Sequence, residues 1–436
     1  MKKLTTCLLF AVLGAATPAF AQLRLTITHG VTDPIPIAVV PFANAAPLGA
    51  ADVAEIIQND LESTGRFKAM PRTDMITKPS TASEIDSPAW KQQRNDFVVV
   101  GRVRQLAGGD LEVKGELVNV LTGVAMGDRT VVVAAPKLRF AAHRIADAIH
   151  EKILGVPGAF STRIAYVSVD GRPPKQSYQL VVADADGMNF KTVLRSPLPI
   201  MSPSWSPDGV MLAYVSFEHK VSSIYVQNVQ TSQRSRVSAR AGINGAPSWS
   251  PDGKKLALTL SGSNGNLDVY LLELTTQKLT RITDDPAIDT EAVFTADGSA
   301  LYFTSDRAGS PQVYRVGLGG AERPKRVTFS GSYNARPRVS PDGKKLALLT
   351  LDNGAYRIGI QDLMNGSMQI ISTGRQDESP SFAPNGAMLI LAGRERGQGV
   401  LQTVSADGQS SARLNADAGE VREPVWGPYL PDNRTQ

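Results

Sequence analysis

A seven-residue signal returns along the last two-thirds of this chain, and a fixed internal period decides architecture before any single residue decides chemistry. Pro203-Ser204-Trp205-Ser206-Pro207-Asp208-Gly209 recurs as Pro247-Ser248-Trp249-Ser250-Pro251-Asp252-Gly253. Looser copies follow at Phe294-Thr295-Ala296-Asp297-Gly298, Val339-Ser340-Pro341-Asp342-Gly343 and Phe382-Ala383-Pro384-Asn385-Gly386. The aromatic or valine position falls at 205, 249, 294, 339, 382 and 426, giving intervals of 44, 45, 45, 43 and 44 residues. That length suits four short strands and their turns.

Each Asp-Gly or Asn-Gly is followed by an apolar run, as in Met211-Leu212-Ala213-Tyr214-Val215 and Leu256-Ala257-Leu258-Thr259-Leu260. Short apolar runs between turn signals predict buried strands. The Ser-Pro-Asp-Gly segment is the turn: Pro pre-sets φ, Asp bonds its own backbone, and Gly takes the positive φ. Alternating third strands follow at Ser223–Gln227, Leu267–Leu271 and Gln312–Val316, then short polar fourth strands such as Arg234–Val237. Four strands of falling hydrophobicity describe a propeller blade whose outer edge faces water. Before the first copy, Arg163–Ser168, Tyr178–Val182 and Thr192–Leu194 supply second, third and fourth strands without a first. Glu423-Pro424-Val425-Trp426-Gly427-Pro428 supplies the missing one, which predicts a six-bladed β-propeller over 163–430 closed by residues 421–428.

Lys2 and Lys3, the apolar stretch Cys7 to Leu13 and the small-residue site Ala19-Phe20-Ala21 predict a secretory signal peptide over 1–21, with an apolar region too short to span a bilayer. The sole cysteine, Cys7, falls in that segment, so no disulfide framework, thiolate nucleophile or cysteine-ligated metal is expected after cleavage. Lys2 and Lys3 carry two of the +5 formal charges, leaving +3 on residues 22–436 with no basic run of five. No nucleic-acid partner is expected from that charge pattern.

Residues 22–156 follow another grammar and predict a small α/β domain. Ile35 to Phe42 is a strand, and Asp52 to Gly65 a helix with Val53, Ile56, Ile57 and Leu61 on one face. Gly108-Gly109-Asp110 joins a hairpin, and a second helix from Pro136 to Leu154 ends at Gly155. In Gln22 to Asp33, Leu23, Leu25 and Ile27 alternate with Arg24, Thr26 and Thr28. That pattern fits a first strand of the domain sheet, or an extended arm able to add to a partner's sheet edge.

Catalytic patterns are missing from the sequence. His143 and His150 lie seven apart on one helix face, too far for one ion, and His29 and His219 stand alone. No Gly-x-Ser-x-Gly elbow, phosphate loop or dinucleotide fingerprint occurs. Asp208, Asp252, Asp297 and Asp342 are hard oxygen donors, but one per blade cannot surround a single calcium. No cofactor or metal is expected and no enzyme activity. The alternative is a metal-dependent propeller hydrolase or lactonase using carboxylates at the channel mouth. A glycan-binding module would ask for exposed rim aromatics, and only Tyr333 qualifies.

The links into each inner strand converge on the channel opposite the Asp-Gly turns, where blades alike in scaffold can differ in their loops. They contain Ile200-Met201-Ser202, Ile243-Asn244-Gly245, Asp289-Thr290-Glu291, Tyr333-Asn334-Ala335, Asp377-Glu378-Ser379 and Val421-Arg422-Glu423.

The order of parts, with Ile37–Phe42, Ser63-Thr64-Gly65-Arg66-Phe67, Pro311–Tyr314 and the ending Pro424-Val425-Trp426-Gly427-Pro428-Tyr429-Leu430, resembles the TolB family of the periplasmic Tol-Pal system along the whole chain. The resemblance implies a soluble, monomeric periplasmic adaptor, peripheral to the outer membrane through its partner and not inserted in it. It implies a role in outer-membrane integrity and in envelope constriction during cell division. Two partners follow from it. The lipoprotein Pal would bind at the channel mouth, which maps onto Asn244, Thr290, Glu291, Asn334, Asp377 and Glu378. TolA would bind the mature N-terminal segment, which maps onto Gln22, Leu23, Arg24, Leu25, Thr26 and Ile27 within Gln22 to Asp33. One departure stands out: relatives carry histidine before Asn-Gly-Ala-Pro where this chain has Ile243, which implies a more apolar contact there.

Overall fold

A computed structural model describes residues 26–29, 33–44, 51–320, 322–414 and 419–430. Its N-terminal part is a mixed sheet in the order Phe67–Ala69, Ile35–Val39, Phe97–Gln105, Leu111–Asn119, Val124–Val133, with Ala43–Asn44 alongside the central strand. The first three strands run parallel and the last three form an antiparallel meander. Helix α1 (Val53–Ser63) starts where Asp52 accepts from Glu55 N, and packs with α3 (Leu138–Leu154) on one face of the sheet. Helix α3 stops at Gly155, whose φ of 74° suits a residue without Cβ. Short α2 (Ser87–Gln92), unmarked by any long period in the sequence, buries Trp90 on the opposite face.

Six antiparallel sheets follow, each with four strands from the propeller segment, so the chain is a six-bladed β-propeller preceded by an α/β domain. Blade one is Arg163–Asp170, Ser177–Asp184 and Lys191–Ser196, with Glu420–Trp426 as its inner strand. Val425 pairs with Ala165 and Trp426 with Ile164, so the ring closes with the last described strand beside the first of the propeller. Blades two to six begin at Ile200, Asn244, Asp289, Asn334 and Glu378. Apolar clusters lie between every consecutive pair of blades, including six and one, where Ile390, Leu401 and Leu414 meet Ile164, Tyr166 and Val181. The hydrophobic driving force is thus spent between blades, which is why an unclosed array would expose two apolar faces.

The Ser-Pro-Asp-Gly turns are near-identical. In blade three, Ser250 Oγ donates to Asp252 Oδ1 (2.5 Å), which also accepts from Lys254 N (3.0 Å), while Lys255 N donates to Ser250 Oγ (2.9 Å). The carboxylate is consumed by its own turn. The glycine also serves the ring: a Cβ at Gly253 would lie 3.7 Å from Pro207 of the preceding blade, and one at Gly298 3.6 Å from Pro251. These turns seat the proline of the preceding blade, whereas Gly343 of blade five meets Ala296, the residue that stands in the proline position of blade four.

The sequence allowed Gln22 to Asp33 to be a strand of the domain sheet. Thr26–His29 instead pairs antiparallel with Ser411–Leu414 and makes a fifth strand on the outer edge of blade six. The partner lies almost the whole chain away, where no local pattern could announce it. Gln22, Leu23, Arg24 and Leu25 fall outside the described residues.

The α/β domain sits against the turn face at blades six and one. Arg66 pairs with Asp407, Ser410 Oγ donates to Thr64 O (2.7 Å), Asn385 Nδ2 to Pro157 O (3.0 Å) and Tyr429 OH to Gly158 O (3.0 Å). Asp407 belongs to Ser405-Ala406-Asp407-Gly408, a second copy of the turn device in the outer hairpin of blade six. There the arrangement leaves one carboxylate oxygen for the domain.

Candidate functional site

Every inner strand breaks register shortly after it begins, between Met201 and Ser204, Gly245 and Ser248, Thr290 and Val293, Ala335 and Arg338, Glu378 and Ser381, and Arg422 and Val425. Within each break one non-glycine residue takes positive φ: Ser202, Ala246, Glu291, Arg336, Ser379 and Glu423, all between 45° and 55°. Such backbone costs about 1–2 kcal/mol per residue, so a six-fold ring of it persists only because the surrounding sheet enforces it. In five blades the next residue is proline (203, 247, 337, 380 and 424), which has no N–H to lose where the ladder opens.

This ring lines a central channel of about 460 Å³. Its charge is uneven. Glu291, Arg336, Arg338 and Glu423 line the channel, and Arg336 reaches Glu291 (3.0 Å), Glu378 (3.6 Å) and Ser379 Oγ (2.7 Å). Burial works against the Arg336 charge, but Glu291, Glu423 and Glu378 outweigh it and hold its pKa up. Burial lowers that of Arg338 and raises that of Glu423, whose carboxylate also accepts from Ser202 N.

The sequence-predicted residues separate into two groups. Asn244, Asn334 and Asp377 are almost wholly buried. Asn244 accepts from Ser238 Oγ (2.6 Å) and donates to Arg240 O (2.8 Å). Asn334 donates to Gln312 Oε1 (2.9 Å) and Ser330 O (2.7 Å), and Asp377 accepts from Gly374 N (2.8 Å). They hold their links from beneath. Thr290, Glu291 and Glu378 are partly exposed, with Glu291 N bonded to Thr259 Oγ1 (3.2 Å).

Sequence reasoning did not single out Arg336, Arg338 and Glu423. The signal available was a charged residue immediately before an inner-strand proline, as at Arg336-Pro337 and Glu423-Pro424. Nor did it gather the apolar residues exposed on this face: Met201, Val221, Ile243, Ile288, Phe329 and Tyr356. Four sit in the links or at their ends and two beside the hairpins between second and third strands, so the charged throat has an apolar rim. Exposed apolar groups clustered on one face mark contact surfaces.

A closed six-bladed ring with an α/β domain on its turn face and an irregular, charged and apolar opposite face defines a propeller built for binding. Residues 150–430 match the TolB beta propeller domain and residues 23–126 the TolB amino-terminal domain. The Tol-Pal system protein TolB of Xylella fastidiosa (strain 9a5c) is 45% identical over 411 residues, covering 93% of each chain. That of Xanthomonas oryzae pv. oryzae (strain MAFF 311018) is 44% identical over the same length. The crystal structure of TolB from Acinetobacter baumannii superimposes with a TM-score of 0.86 at 41% identity, covering 94% of this chain and all of that one. The chain belongs to the TolB family.

Proposed function

We propose that this protein is a periplasmic adaptor of the Tol-Pal system with no catalytic step. It binds Pal at the channel mouth and TolA through its N-terminal segment, and so supports outer-membrane integrity and envelope constriction during division. The observation that carries the Pal half is the pairing of an apolar rim, including Ile243 and Ile288, with a throat of Glu291, Arg336, Glu378 and Glu423 on the same face. Desolvated anchors beside a charged cluster are the make-up of a specific protein contact. On this reading Thr290, Glu291 and Glu378 touch Pal, while Asn244, Asn334 and Asp377 fix the loops that do. Against the hydrolase alternative stands Arg336, which already occupies Glu291 and Glu378 with its guanidinium.

For TolA, the proposed contact is Gln22 to Asp33, of which Thr26–His29 is paired to blade six. A strand so placed follows the geometry of β-augmentation, with its own propeller as host. Calorimetric titration tests both halves. Ile243→Asp and Glu378→Lys should each weaken Pal binding at least tenfold, and deletion of residues 22–33 should abolish TolA binding while leaving Pal binding in place. Unchanged Pal affinity in both substitutions, or full TolA binding by the truncated protein, would overturn the corresponding half.

A further inference from the structure

Where the α/β domain meets blade one, a buried row of charges crosses from one to the other. Asp60 on α1 and His143 on α3 are among the most buried polar residues of the molecule, and Asp186 lies in the outer hairpin of blade one. His143 Nδ1 is 2.7 Å from Asp60 Oδ2, and its Nε2 faces Asp186 Oδ2 at 3.8 Å with no hydrogen-bond partner among the described residues. Arg139, one helical turn before His143, pairs with the same Asp186 oxygen and lies 3.8 Å from Asp184.

With Asp60 and Asp186 both ionised, the geometry points to a charged ring. A carboxylate at Nδ1 requires a proton there, and a neutral imidazole would then aim the Nε2 lone pair of a buried ring at a second carboxylate. Only the imidazolium offers a proton to both. The cluster has the donor types of a cation site, but Arg139 already fills the Asp186 oxygen that such an ion would need.

We propose that His143 is held protonated at neutral pH and acts as an interdomain latch, bound to Asp60 within the α/β domain and to Asp186 across the boundary, so that loss of its proton loosens the domain from the propeller. The latch is independent of the Pal and TolA reading.

The titration follows the same direction. Burial alone would lower the His143 pKa, but Asp60, then Asp186 and Asp184, outweigh it and hold it up at about 9. The other groups facing the cluster are Arg139, Asp147 and Arg144 of α3 and Arg163 of blade one. Asp147 is itself engaged by Ser161 Oγ (2.5 Å) and Phe160 N (2.8 Å). Asp60, pushed up by burial against the pull of His143 to about 6, is already ionised when His143 titrates. A raised histidine pKa gives stability that is complete below the ordinary 6.5 and lost as pH climbs through about 9.

Spin labels at Lys91→Cys and Lys278→Cys, both on exposed positions of residues 22–436, report the domain separation without competing thiols. A narrow distance distribution at pH 7 should broaden at pH 9.5, and Asp186→Asn should be broad at both. The His143 ring proton, followed by NMR in the same samples, should titrate near pH 9 and shift down by a unit or more in Asp186→Asn, which guards against a variant that merely misfolds. His143 titrating at or below 6.5 would overturn the latch. So would identical distance distributions on either side of its titration, or one zinc ion retained by the purified protein and lost in Asp186→Asn.

Discussion

On the turn face, Ser206, Ser250, Thr295 and Ser340 each donate to the Asp two residues on, and the next amides close around the same carboxylate. On the link face, the first residue of each inner-strand approach is buried in every blade, yet its chemistry changes from blade to blade. Asn244 ties Ser238 and Arg240, Asp289 accepts at both carboxylate oxygens from Arg307 Nη2 (3.0 and 2.8 Å), Asn334 holds Gln312, Asp377 caps Gly374, and blades two and one use Ile200 and Val421. One face repeats a solution and the other repeats only a position. Uniformity belongs where blades must fit one another, and variety where loops must differ above a common footing.

The most severe way to break this contrast is to remove the element common to both faces. Deleting residues 420–430 strips blade one of its inner strand and exposes the Ile164–Val167 edge, and calorimetry should show no single cooperative transition. In the throat, Arg336→Ala leaves Glu291 and Glu378 without their ion-pair partner and should cost about 2–3 kcal/mol in urea unfolding, Arg336→Lys less. Next come two adjacent residues with opposite burial. Asp377→Ala orphans Gly374 N and should cost about 2 kcal/mol. Glu378→Ala should cost under about 0.5 kcal/mol because its pairing is half in water. Equal losses would erase the distinction between footing and contact residue. Smallest is the turn itself. The bonds from Thr295 and then Ser299 hold Asp297 down to about 2, so its contribution is present above the ordinary carboxylate value of 3.8 and lost as pH falls through about 2. Asp297→Asn should flatten that acid limb in denaturant midpoints read between pH 5 and pH 2.

Blades, turns and closure were legible because their signals are local: a proline, an aspartate and a glycine in sequence, and one surplus first strand at Val425-Trp426. The bulge ring was not, since positive φ at Glu291 or Arg336 has no residue signature of the kind glycine provides. Asn244, Asn334 and Asp377 were placed on the correct loops but looked like solvated polar groups, because burial of a polar side chain shows only once its partners are in place. His143 was read from its spacing to His150, while the groups that give it meaning, Asp60 and Asp186, come from another helix and another domain.

The strand that closes blade one meets its partner across some 260 residues, as in the pairing of Trp426 with Ile164. Bringing ends that far apart together costs about 5 kcal/mol of chain entropy, and contacts of such separation form late. Until then blade one offers a bare inner edge and its apolar faces to other chains. The ring therefore has a vulnerable interval during folding, ended by its final strand. Closure by this strand also ties the two ends of the propeller to each other, so fraying at either end is opposed by the other.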